Sequence, residues 1–200
     1  MNKKQACTIA LCFVCVAIIG ICCMAGISKW RAYQAELKRQ QQLAQYTEDL
    51  TDAFNDLYQV ETDLFADMAQ QQADGVDNRT ILQSVLSAAT APIDTLASVQ
   101  APKELSEAQA HFKKAASSYH AMSDTVTDML LDSSVSDADI RDTLIDMLPD
   151  AVDAFDEVKA GITLLAENSD ITLPDSAKQL ETALDSFSGD SLRSLLTPQS

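Results

Sequence analysis

The sequence predicts an all-α protein: an N-terminal transmembrane helix, then an up-and-down antiparallel four-helix bundle with a short extra C-terminal helix. Three observations lead there. Residues 6–27 carry no charge. Beyond them, apolar side chains recur at alternating spacings of three and four, the pattern of a helix that buries one stripe. Glycine and proline number only five each, too few for the closely spaced turns of a β-sandwich or barrel.

The first of these sets the domain organisation: a basic tail at 1–5, a signal-anchor helix at 6–27, a basic juxtamembrane segment at 28–40 and an acidic helical-bundle domain at 41–200. At ~1.5 Å per residue the uncharged run crosses a ~30 Å hydrocarbon layer. Lys3 and Lys4 precede it. Trp30 and Tyr33 follow at the depth where amphipathic rings favour the membrane–water boundary, and Arg31, Lys38 and Arg39 complete a basic collar for anionic headgroups. Cys23, Met24 and Ala25 place small residues where a signal peptidase would want them, but the run exceeds the usual ~7–15 residue signal core, which favours retention as an anchor. Counting basic residues alone would put the C-terminal domain in the cytoplasm. A short lysine-bearing tail ahead of an apolar run is how secretory targeting segments begin, so the domain is expected outside. All five cysteines lie in the first 23 residues, so the domain has no disulfide, thiol nucleophile or cysteine zinc site. The expected partner of 6–27 is the bilayer.

The helices follow in order. Leu43, Tyr46, Leu50, Ala53, Leu57, Val60 and Leu64 hold the a/d spacing of a coiled coil, predicting a first helix that runs to about Ala73 and ends at Asp74-Gly75. Asn78 is positioned to cap a second helix with Leu82, Val85, Ala89, Leu96 and Val99 on one side, kinked or broken at Pro92. Pro102 suits the first turn of a third helix carrying Leu105, Ala108, Phe112, Ala115, Tyr119, Met122, Val126 and Met129. After a serine- and aspartate-rich loop, Ser136 or Asp137 caps a fourth, with Leu144, Leu148, Ala151, Phe155, Val158, Ile162 and Leu165 in phase and a bend at Pro149. Pro174 opens a last piece with Ala177, Leu180, Leu184 and Phe187, stopped by Gly189. The alanines in these stripes permit close approach of neighbouring helices.

Charge narrows the function classes. Residues 41–200 hold 8 basic and 29 acidic side chains, a net of −21, which repels nucleic acid and favours basic proteins or cations. Leu43, Leu50, Leu57 and Leu64 repeat every seventh residue, but a membrane span stands where a DNA-gripping dimer has its basic region. Bundle packing or a homo-oligomer through the first helix is expected instead. On the fourth helix Asp142, Asp146, Asp150, Asp153 and Glu157 line one face, and like charges four apart repel by ~0.2–0.5 kcal/mol per pair, making this a candidate weak cation-binding face. No tighter metal site is expected. The calcium-loop pattern fails at Arg141 and Asp142, and His111 and His120, nine apart, face opposite sides of a helix. No nucleophile elbow, phosphate loop or dinucleotide fingerprint occurs, so no catalytic residue and no cofactor is expected.

The leading expectation is therefore a non-catalytic, single-pass membrane-anchored module that binds a protein partner or a second copy, or associates with the envelope. One membrane helix leading into four helices resembles the periplasmic domain of bacterial chemoreceptors. That resemblance implies a sensory or ligand-binding function. Residues 28–200 depart from the family in showing no second span and no signalling domain, so a signal would pass to a separate partner chain.

Overall fold

The computed structural model describes the backbone of residues 3–186 and the side chains of residues 30–185 except Glu61 and Phe65. Every regular element among the described residues is helical: α1 (Lys3–Ala73), α2 (Asn78–Ser98), α3 (Ser106–Leu131), α4 (Asp137–Asp146), α5 (Leu148–Ala166) and α6 (Asp175–Ser186), with a 3-10 turn at Lys103–Leu105 leading into α3. The chain divides into two compact units, Met1–Gln42 and Leu43–Ser200.

In the first unit Trp30 and Tyr33 stand one helical turn apart with ring centroids at 6.2 Å, and both are more than half exposed. Arg39 grips Glu36 at 3.2 Å, while Arg31 and Lys38 point into solvent. Among the described residues, no helix is long and apolar enough to cross a membrane. The uncharged run at 6–27, with Lys3 and Lys4, lies outside the described side chains.

In the second unit the helix ends are set by local chemistry. Gly75 adopts φ +75, and the Val76 N–H reaches back to the Gln71 carbonyl at 3.0 Å, the bonding that closes a helix through a left-handed glycine. The cap of α2 is Asp77 rather than Asn78: its carboxylate accepts from the Thr80 N–H at 3.1 Å and the Thr80 hydroxyl at 2.6 Å. A charged acceptor at the positive end of the helix dipole is the stronger of the two adjacent candidates. Ser136 caps α4 reciprocally with Asp139.

Proline acts differently at each site. Pro92 does not break α2, which runs continuously from Asn78 to Ser98 with the proline buried inside it. Pro149 has the larger effect. Lacking an N–H for the Ile145 carbonyl, it falls in the first turn of a new helix, so the expected fourth helix is two, α4 and α5, meeting at Met147. Pro102 precedes the 3-10 turn, and α3 starts only at Ser106.

The core gathers Leu43, Tyr46, Leu50, Ala53 and Phe54 of α1 with side chains of α2, α3, α5 and α6. Helix α3 is its hub. Phe112 meets Phe54 edge-on at 5.8 Å and covers Gly161 of α5 so closely that a Cβ there would lie 2.5 Å from the ring. Gln109 donates to the Leu96 and Ala97 carbonyls of α2 at 2.9 Å and accepts from the Tyr46 hydroxyl at 3.1 Å. At the other end Tyr119 donates to the Leu86 carbonyl at 2.5 Å, so α2 and α3 run antiparallel.

Candidate functional site

The stripe of α1 changes character along its length. Leu43 to Phe54 is packed solid, with Ala53 and Phe54 fully buried, whereas Leu57, Val60 and Leu64 are only half-buried. Those three, with Met68, form one wall of a cavity of about 380 Å³. Opposite it stand, among others, Val85, Ala89 and Ile93 of α2, Ala115, Ala116, Tyr119 and Met122 of α3, Phe155 and Val158 of α5, and Leu180 and Ala183 of α6. The space exists because small side chains converge: Ala89, Ala115, Ala116, Ala154 and Ala183 all face it. Ala53 and Ala108 let helices close up, as the spacing suggests, whereas these five border a void, although Ala115, Ala116 and Ala154 are buried as well.

The wall is hydrocarbon. Among the described side chains its one polar group is the Tyr119 hydroxyl, which donates to the Leu86 carbonyl, and burial pushes that phenol above its ordinary range. Met68, 38 % exposed, marks where the cavity reaches solvent.

A second, polar groove of about 540 Å³ lies between α3 and α5, lined by Lys114, Ser118, Thr125, Asp150, Asp153 and Glu157 among others. Here three of the five carboxylates of the expected cation face come together: Asp150, Asp153 and Glu157. The other two do not join them, because the break at Met147 interrupts the ladder; Asp146 ends α4 and Asp142 is held by Arg141 at 3.2 Å. Glu157, 18 % exposed, is engaged by Lys114 and by His111 Nδ1 at 2.6 Å. No group of three or more His, Cys, Asp or Glu side chains that could hold a metal ion occurs among the described residues. His120, on the opposite side of α3, pairs with Asp94 of α2 at 2.6 Å, so each histidine bridges to a different neighbouring helix.

These contacts make stability pH-dependent. Hydrogen bonds from Lys114 and then His111 hold the Glu157 carboxyl below its ordinary 4.5, so the stabilisation is complete above that value and is lost as pH falls through the lower, folded-state one. Asp77 and Asp139, lowered by Thr80 and Ser136 at their caps, act in the same direction. The melting temperature is expected to fall as the solution is acidified below about pH 4.5, and a Glu157→Gln variant to lose less over that window than the parent; equal losses would contradict the role given to Glu157.

Sequence reasoning missed the cavity and Gln109. Two consecutive alanines, Ala115 and Ala116, were the available signal for the first; for the second it was a glutamine in phase with Leu105 and Phe112. Comparison of the chain with protein-family models, with curated proteins and with solved structures gives no match in any of the three.

Proposed function

We propose that the protein is a single-pass membrane protein, anchored through residues 6–27, whose extracytoplasmic bundle captures a small apolar ligand. The bundle in this reading is an up-and-down four-helix core of α1 from Leu43, α2, α3 and the α4–α5 pair, with α6 added. The observation that carries it is the cavity: its volume falls in the ~300–1,000 Å³ range of ligand pockets and all five surrounding helices line it with hydrocarbon. Such walls offer binding without a reacting group. Of the two expectations from sequence, the cavity favours ligand binding over a protein-interaction module, whose natural signature is an exposed apolar patch. The anchor rests on the uncharged run, and on Trp30, Tyr33, Arg31, Lys38 and Arg39 following it.

Methionine-methyl NMR tests the function directly in the full-length protein in phosphatidylcholine nanodiscs. Decanol is expected to shift the Met68 and Met122 resonances, which face the cavity, and to leave Met129 unmoved. Ala89→Phe, filling the space from α2, should abolish the shifts while keeping the fold. A saturating ligand at about a hundred times its Kd should also stabilise the bundle by about 2.7 kcal/mol. Unmoved Met68 and Met122 signals would end this reading.

A further inference from the structure

The chemistry around the cavity narrows the ligand, given that the cavity binds one at all. We infer that its ligand is a single-chain amphiphile with a cationic head, such as an alkylammonium compound. Size sets the chain: about 380 Å³, at the low end of the ~300–1,000 Å³ of small-molecule pockets, suits one short chain rather than a two-chain lipid.

The walls set where the head goes. A charged head drawn inside would exchange its hydration for a wall whose described side chains offer one acceptor, the Tyr119 oxygen, and a buried charge so thinly partnered is costly. The head therefore stays at the mouth.

Charge then decides its sign. On α1, Asp63 and Asp67 each precede a lining residue, Leu64 and Met68, and both are exposed. On α5 and α6, Asp156 and Asp185 adjoin the lining residues Phe155 and Leu184 and are 66 % and 62 % exposed. Lys159, 2.8 Å from Asp185 and 3.7 Å from Asp156, offsets one of these two charges and leaves the trio at −1. Within a domain of net charge −21, a carboxylate head meets repulsion and an ammonium head attraction.

The test is a titration of full-length protein in phosphatidylcholine nanodiscs, a bilayer without net charge. Met68 and Met122 shifts are followed against the free concentration of decyltrimethylammonium, decanol and decanoate, fixed by dialysis. At ~0.01 M salt the cation should bind most tightly and the anion least, about tenfold or more apart, and the gap should narrow sharply at ~1 M salt, where the screening length shrinks from ~30 Å to ~3 Å. Asp63→Asn with Asp67→Asn should erode the cation preference and leave decanol affinity unchanged. Decanoate binding as well as the cation, or a salt-independent ranking, overturns the inference while decanol binding leaves the cavity reading standing. Absence of binding by all three overturns both.

Discussion

Phe112→Ala is expected to destabilise the protein by about 3–5 kcal/mol, the range for emptying a fully buried aromatic site. The ring is 1 % exposed and fixed from two sides. Its edge contact with Phe54, centroids 5.8 Å apart and planes at 83°, adds about 0.5–1.5 kcal/mol beyond burial alone. On the other side it fills the room that Gly161 leaves on α5, so no neighbouring side chain can move in to collapse the hole. The loss would appear in urea unfolding followed by circular dichroism, as a lower midpoint with the slope unchanged. For a domain of this size it corresponds to a fall in melting temperature of roughly 6–20 °C. A loss under about 1.5 kcal/mol would show that α3 is not clamped between α1 and α5 at this level.

Gln109→Leu is expected to cost nearly as much, about 2–5 kcal/mol, although it replaces an amide by a hydrocarbon of similar volume inside an apolar core. The reason is the partners left behind. Gln109 is 3 % exposed and Tyr46 1 %; the glutamine carbonyl accepts from the Tyr46 hydroxyl, and its amide serves the Leu96 and Ala97 carbonyls near the end of α2. Each buried group stranded without a partner costs about 1–3 kcal/mol. Tyr46→Phe alone should cost about 1–3 kcal/mol, since it strands a single buried acceptor, the Gln109 carbonyl oxygen. The double variant should be less damaged than the sum of the two, because the stranded hydroxyl is gone. Strict additivity in unfolding free energy would mean that the two side chains do not share this bond.

Both residues sit on α3, and they show where reading the sequence succeeds. Phe112 belongs to a stripe from Leu105 to Met129 whose spacing is legible in the chain, because an amphipathic helix repeats its buried side every 3.6 residues whatever it packs against. Gln109, four residues past Leu105 and three before Phe112, is in phase with that stripe, but its polar amide argues against burial. Whether a glutamine turns inward depends on which carbonyls another helix brings within reach.

The same division runs through the helix ends and the sites. Gly75 as the stop of α1, Ser136 as the cap of α4 and Asp175 as the start of α6 after Pro174 are local matters, decided within four residues of chain. The two prolines inside predicted helices divide on tertiary grounds: Pro92 is buried and its helix continues, while Pro149 becomes the first turn of a separate one. That break also separates Asp142 and Asp146 from Asp150, Asp153 and Glu157, which a continuous helix would have kept on one face.

By itself the sequence determined the all-helical class, the number of amphipathic stripes, the segregation of charge and most of the buried positions, because each follows from periodicity or composition along one strand of chain. Only the tertiary structure decided that Ala53 and Ala108 close a contact while Ala89, Ala115 and Ala116 open a cavity, and that Glu157 is held by His111 and Lys114. A void, like an ion pair between helices, belongs to the distance separating two backbones, and no spacing within a single helix encodes that distance.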